Sequence, residues 1–195
     1  MSRQNTHSLT AHRHQIRFCT QCGGAIRRQP PPGDGRDRAV CSVCGAIQYE
    51  NPKLVVGCIP TWEDKVLLCR RAIEPRYGYW TLPAGFMENG ESTADGAARE
   101  TAEEAGARVH DLRPFALIDV PYVHQTHLYF TARLTDLDYT PGEESLEARL
   151  FAEADIPWDD LSFRTVILTL KHFFADRARG SFGFHHDTLA YPPRP

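Results

Sequence analysis

Two apolar runs, LVVGCIP (54–60) and KVLLCRR (65–71), stand either side of the short polar stretch TWED. Aliphatic and β-branched runs of this length around a polar break predict a β-hairpin. YGYWTLPAGF (77–86) follows as a short strand leading into a loop. A helix is predicted from Ser92. Ser92 caps it, Asp95 three residues on completes a capping-box-like pair, and Gly106 suits its stop. THLYFTARL (126–134) alternates as a strand does, and PGEESLEARLF (141–151) reads as a turn and then a strand. DIPWDDLSF leads into a second helix near 163–178. There Val166, Ile167, Leu170, Phe173 and Phe174 form an apolar stripe, a core or interface face that needs no cofactor. The closing GSFGFHHDTLAYPPRP predicts no clear element. Strands and helices interleaved in this way predict an α/β domain with a mixed sheet.

Composition supports a real core: 42% of the 195 residues are hydrophobic and 10% aromatic, room for one ordinary domain and a small accessory module. The formal net charge is -3, but residues 1–48 carry seven Arg against Asp34 and Asp37, so a basic head precedes an acidic body. A solvated arm explains that asymmetry, and it is also compatible with anionic ligands near the head. No run of 18 apolar residues suggests a membrane span. MSRQNTHSLTAHRHQIRF lacks the apolar stretch of a secretory signal and is short for an organelle transit peptide. It reads as a flexible tail, with the cytoplasm as the default location.

Cysteine spacing defines the accessory module. Cys19 and Cys22, then Cys41 and Cys44, stand as C-x2-C, an eighteen-residue gap and C-x2-C. That is the spacing of a four-thiolate zinc site. Glycine follows each pair, which lets the chain turn so that backbone amides point at the sulfurs. QPPPGDGRD between the pairs is an exposed loop. So short a segment can hardly bury a core, and a bound Zn²⁺ would supply the missing folding free energy. Two disulfides or four unrelated thiols are the alternatives, and no secretory context favours disulfides. Four cysteine ligands imply a closed structural site. Cys58 and Cys69, inside apolar runs, read as buried thiols.

Residues 85–107, GFMENGESTADGAARETAEEAGA, raise a charge question. Glu100, Glu103 and Glu104 are related by three and four residues, and each such like-charged pair costs a helix roughly 0.2–0.5 kcal/mol. A hard divalent cation shared between the carboxylates would remove the conflict. A solvated acidic helix is the alternative.

The stretch fits G-x5-E-x7-R-E-x-x-E-E-x-G through Gly85, Glu91, Arg99, Glu100, Glu103, Glu104 and Gly106. This resembles the Nudix box, the motif of hydrolases that cleave nucleoside diphosphates linked to another moiety. Thr101 and Ala107 stand where that family prefers bulky apolar residues, which implies looser helix packing. The resemblance extends from the paired cysteines to IPWDDLSF, through YENPKLVVGC, YWTLPAGF and PGEESLEARLF. Within the family the chain resembles zinc-ribbon members related to plant ADP-ribose/FAD pyrophosphatases. This implies a Nudix-type α/β/α sandwich behind a small zinc ribbon. The expected division is a flexible tail at 1–17, the ribbon at 18–48, the hydrolase domain at 49–180 and a C-terminal tail at 181–195.

The resemblance implies Mg²⁺ or Mn²⁺ held by Glu100, Glu103, Glu104 and the Gly85 carbonyl, with Arg99 orienting a neighbouring glutamate; Arg99–Glu103 is equally an ordinary surface pair. A carboxylate outside the box often completes such sites. Glu144 is favoured over Glu147 and Glu143, since alternate strand residues point the same way. The glutamate that activates water is left open. The implied reaction is cleavage of the diphosphate in ADP-ribose or FAD, giving AMP and the other phosphorylated half. NADH pyrophosphatases also join a zinc ribbon to this box. They carry SQPWPFPxS after it, where this chain reads DLRPFALIDVPYVHQ, with Pro121 near a proline characteristic of ADP-ribose pyrophosphatases. Tyr77, Tyr79 and Phe86 are candidates for stacking on adenine or flavin, and Trp80 reads equally as core.

The expected partner is a small nucleotide, without a membrane, and a homodimer built through the ribbon is compatible. A zinc-ribbon nucleic-acid module with a Nudix-like nucleotide sensor is the competing class. Four thiolates around Zn²⁺ bring about -2 to the head, which weakens its pull on phosphates. The loop between the cysteine pairs also lacks interleaved aromatics for base stacking. His124, His127, His172, His185 and His186 show no ligand spacing with the acidic cluster and read as surface or core histidines.

Overall fold

The computed structural model describes residues 16–191, in two compact units, Met1–Asn51 and Pro52–Pro195. The tail reading of 1–17 and the last four residues of the 181–195 reading fall almost wholly outside the described residues.

In the first unit, β1 (Ile26–Gln29), β2 (Arg38–Cys41) and β3 (Ile47–Gln48) form an antiparallel sheet in that order. Each cysteine pair sits on a tight turn. Gly23 N donates to Cys19 O at 2.9 Å, and Gly45 N donates to Cys41 O at 3.2 Å. Gly23 and Gly45 take φ of 71° and 73°, a region that favours glycine.

The second unit is built on a mixed sheet in the order β10 (Ser145–Phe151), β5 (Lys65–Arg71), β4 (Lys53–Trp62), β9 (Gln125–Leu134), β8 (Val109–Val120), β11 (His185–Thr188). The short β6 (Trp80–Thr81) and β7 (Ala84–Phe86) pair with β5 and β4. β4–β9 and β11–β8 run parallel; the other pairs are antiparallel. The hairpin expected at 54–71 is present, with its strands paired at Thr61–Val66 and Trp62–Lys65.

Helices cover both faces. α1 (Thr93–Ala105) buries Ala97 with Val56, Cys58, Phe130 and Ala132, and its end buries Ala105 with Leu67, Cys69 and Leu134. α2 (Arg164–Arg179) lays Val166, Leu170, Phe173 and Phe174 on Ile59, Leu68, Phe115 and Tyr129. Fully buried side chains of this size contribute about 1.5–3 kcal/mol each. The α/β/α sandwich with a mixed sheet, preceded by a small ribbon, is thus present.

Two strands differ from the sequence expectation. β8 was not signalled because its ladder slips between His110 and Arg113 and again between Pro114 and Ala116, which breaks the alternation a strand normally shows. β11 lies inside the segment read as a tail. Its HHDT carries no apolar residue, and polar pairs hold it in place of a buried face.

Candidate functional site

α1 begins as its sequence indicates. Ser92 Oγ accepts from Asp95 N at 3.2 Å and donates to Asp95 Oδ2 at 2.6 Å, and Gly106 ends the helix at φ 59°. Thr101, which departs from the family's apolar preference, is fully buried and donates Oγ1 to Ala97 O at 2.8 Å. The hydroxyl is satisfied within the helix, so the position packs without a larger apolar group.

The helix face toward β7 carries the acidic residues. Glu100 and Glu104 are buried while Glu103 is exposed. Glu100 lies against Gly85 so closely that any Cβ at 85 would overlap its carboxylate. A side chain at 85 would have to displace that carboxylate. Glu104 accepts from Ala84 N at 3.1 Å. β7 therefore delivers its backbone directly to two of the three carboxylates.

Arg99 is the counter-charge. Its Nε and Nη2 grip Glu91 at 3.0 and 2.9 Å, and Nη1 donates to Glu100 at 2.8 Å and to Glu103 at 2.9 Å. Nη2 also donates to Phe86 O at 3.2 Å. The sequence marked Glu91 as a motif position without a task; the structure makes it the anchor of Arg99. That grip holds the Glu91 carboxyl down at about 2. Arg99 touches both Glu100 and Glu103, which is more than a surface pair does.

Glu144 reaches the site through the end of α1. Thr140 N donates to Ala105 O and Gly142 N to Glu104 O, both at 3.0 Å, satisfying carbonyls that a helix end leaves without partners. A Cβ on Gly142 would overlap the Glu103 carbonyl, so glycine is required for this docking. The turn carries Glu144 close enough that its charge disfavours ionisation of both Glu100 and Glu104. Glu147 sits further along β10, 3.8 Å from Arg149.

Burial raises the Glu100 carboxyl above its ordinary range and pushes Glu104 up to about 8, with Glu100 and Glu144 adding repulsion and the Ala84 amide and Arg71 opposing it. Two buried oxygen donors that resist ionisation, beside an exposed Glu103, suit a hard divalent cation in charge and donor type. Among the described residues, only the cysteines form a group of three or more metal-ligating side chains whose donor atoms all lie within 4.8 Å of one another.

That group fits zinc. The sulfurs of Cys19 and Cys44, Cys22 and Cys41, and Cys22 and Cys44 stand 3.7, 3.5 and 3.4 Å apart. Four thiolates at Zn–S 2.3 Å would be separated by about 3.8 Å. The Cys44 and Val43 amides pull the Cys41 thiol down to about 6. Against the Gly24 amide, the neighbouring sulfurs of Cys44 and Cys41 push Cys22 up to about 12.

The histidines lie elsewhere. His172 and His185 stack at 4.1 Å and pair with Asp187 and Asp176, and His186 pairs with Asp119. Trp80 is buried against Phe151, whereas Tyr77 and Phe86 are exposed.

A family model described as "NUDIX domain" matches residues 51–170, and one described as "Nudix N-terminal" matches residues 17–50. The chain is 32% identical over 148 residues to a protein of Stutzerimonas stutzeri named NAD-capped RNA hydrolase NudC, covering 73% of this chain and 50% of that one. A Pseudomonas aeruginosa protein of the same name is 34% identical over 135 residues, covering 67% of this chain and 45% of its own length. The chain thus spans about half the length of these curated relatives. Among solved structures, a NUDIX hydrolase from Nitrosomonas europaea is similar at 51% identity and TM-score 0.86, over 89% of this chain and 99% of that one. The NUDIX domain of Shewanella oneidensis NrtR, solved with ADP ribose, shares the fold at 21% identity and TM-score 0.58, over 68% of this chain and 91% of that one.

Proposed function

Because the chain belongs to the Nudix hydrolase family, with that family's N-terminal zinc-ribbon unit, we propose that it cleaves the diphosphate of ADP-ribose or FAD, yielding AMP and the other phosphorylated half. The carrying observation is the buried pair Glu100 and Glu104, pressed against the backbone of Gly85 and Ala84 and resisting ionisation. Glu100, Glu103, Glu104 and Glu144, with the Gly85 carbonyl, would hold Mg²⁺ or Mn²⁺, which neutralises the diphosphate and polarises phosphorus.

The chain's own groups divide the remaining work. A glutamate of the helix takes the proton of the attacking water as its oxygen bonds to one phosphorus. The bridging P–O bond breaks, and the bridging oxygen leaves with the other phosphate. Arg99, fixed by Glu91, holds Glu100 and Glu103 in orientation. The four cysteines would hold a structural Zn²⁺ that supplies folding free energy and no step of this chemistry.

A second reading, cleavage of the diphosphate of NAD(H), free or at an RNA end, is favoured by the name the curated relatives carry. The protein assayed with Mg²⁺ or Mn²⁺ against ADP-ribose, FAD, NADH and nucleoside triphosphates separates these readings. AMP release from ADP-ribose or FAD in preference to NADH is expected, and Glu103→Gln should lower kcat about 100-fold or more while the melting temperature holds. Preference for a triphosphate with release of pyrophosphate would overturn the dinucleotide assignment.

A further inference from the structure

The segment joining β5 to β6 carries positive charge that the cleavage reading leaves unused. Arg70 and Arg71 end β5, and Arg76 lies on the segment itself. Among the described residues none of the three has a carboxylate within 4.0 Å, whereas Arg99, Arg108 and Arg177 each do. Carbonyls and rings hold them instead. Arg71 Nε donates to Pro75 O at 2.9 Å and Arg70 Nε to Gly78 O at 3.0 Å. The Arg71 guanidinium lies 5.1 Å from the centre of the Phe163 ring, and that of Arg76 lies 5.1 Å from the centre of the Tyr79 ring. Successive strand residues face opposite sides of the sheet, so Arg70 points away from Arg71. With Nε committed to the Pro75 carbonyl, the terminal nitrogens of Arg71 remain for an anion, and a guanidinium fork matches phosphate oxygens in pairs.

The segment is fastened to the acidic site. Ala72 N donates to Glu144 O at 2.8 Å, and Arg71 pairs with Ser145 across β5 and β10. Arg76 is exposed and holds φ 69°, a conformation that non-glycine residues avoid. Glycine would sit there without strain, so the sequence keeps a cation at the loop tip against its backbone preference. Tyr77 beside it exposes 55% of its surface.

We propose that the segment 71–79 is a subsite for an additional phosphate on the substrate, outside the diphosphate that is cleaved. This rests on reading the carboxylate helix as the diphosphate site. The recognised chemistry is a phosphate ester on a ribose. It has two sources, the 2′-phosphate of a free dinucleotide and the 3′-phosphodiester of a nucleotide chain. A ribose hydroxyl gains little from unpaired guanidinium groups, whereas a phosphate gains charge-assisted contacts from them.

The test compares NADH, NADPH and an NADH-initiated oligoribonucleotide, which share one scissile diphosphate and one nicotinamide redox state and differ in what the ribose carries. In Arg76→Ala, kcat/KM for the phosphate-bearing substrate relative to NADH should fall about tenfold. For the oligoribonucleotide, the log–log salt slope should shrink by about 0.7 for each phosphate that is no longer neutralised. A fall confined to NADPH assigns the 2′-phosphate and one confined to the oligoribonucleotide assigns the 3′-phosphodiester; an unchanged ratio, or an equal fall on all three, overturns the subsite. Arg76→Gly relieves the backbone and should give the same ratio, which separates charge from folding. Equilibrium binding with Ca²⁺ in place of Mg²⁺ keeps the test independent of turnover. If nothing is hydrolysed, yet a phosphate-bearing ligand binds more tightly than NADH and loses that margin in Arg76→Ala, the cleavage reading fails and the subsite stands. Equal affinity of the unaltered protein for all three ligands overturns it.

Discussion

His127 on β9 places its Nε2 3.1 Å from Gln125 Oε1, while its Nδ1 is buried without a partner among the described residues. Burial pushes the imidazole from its ordinary 6.5 down to about 4. A pKa depressed by folding means that the unfolded chain binds the proton more readily. The contribution is therefore complete above pH 6.5 and is lost as pH falls toward 4. A depression of this size corresponds to a loss on the order of 3 kcal/mol. Buried Glu100 and Glu104, whose raised carboxyls stabilise the fold as pH falls through the same window, oppose this loss, so it is read as the difference between denaturant melts of the unaltered protein and of His127→Leu, which should lack it. Asp119, held low by His186, and Asp176, held low against its own burial by the Gly183 amide and His185, yield their protons only below the ordinary carboxylate range. An unchanged slope in His127→Leu would place the acid sensitivity elsewhere. Nothing local in THLYFTARL distinguishes this histidine from an exposed one, because its burial is made by strands and a helix distant in sequence. The acidic motif is different. Gly85, Glu91 and Arg99 are legible from spacing because all three serve one short helix and the strand beside it. Arg71 was not, since only the tertiary pairing of β5 with β10 brings it toward Glu104.

At the scale of elements, β11 shows how a segment without apolar residues becomes ordered. The Asp176 side chain, fully buried at the end of α2, accepts from Gly183 N at 2.9 Å and pairs with His185 at 2.9 Å and with Arg179. His186 and Asp187 add pairs to Asp119 and His172, so the strand is tied to both β8 and α2. Removing the carboxylate leaves the Gly183 amide and the partly buried His185 without their acceptor, and Asp176→Ala should cost about 1–3 kcal/mol. Hydrogen exchange at His185–Thr188 should accelerate before exchange in β4 or β9 does. A stability change within about 0.5 kcal/mol would show that the strand is held by other contacts. These ties cross from helix to strand, so hydrophobic periodicity carried no trace of β11. Apolar runs, alternation or an apolar stripe did carry α2, β4, β5, β9 and β10, whereas α1, with no apolar residue larger than alanine, was marked by its caps. β8 lay between these cases: its apolar residues are present, but two register slips hide their alternation.

At the scale of the molecule, the two units draw on different sources of stability. The second unit has buried clusters on both faces of its sheet. Among the described residues of the first, the buried hydrophobic residues are Cys19, Ala39, Val40 and Cys41, too few to order three short strands. Structural zinc held by four thiolates supplies about 10–16 kcal/mol in small domains, enough to decide whether such a unit folds. Chelation should therefore unfold the first unit while the second keeps its structure. The protein reports on each separately. Its three tryptophans, Trp62, Trp80 and Trp158, all lie in the second unit, and four of its six cysteines lie in the first. After a zinc chelator, tryptophan emission should hold while four thiols become reactive. Cys58 and Cys69 should stay protected, because both are fully buried and burial raises both thiols, Cys58 to about 11. Six reactive thiols with a shifted emission would mean that the second unit needs the first to fold, and the metal would then support the whole molecule. Fewer than four would mean that the first unit keeps its fold without zinc, contrary to its small core.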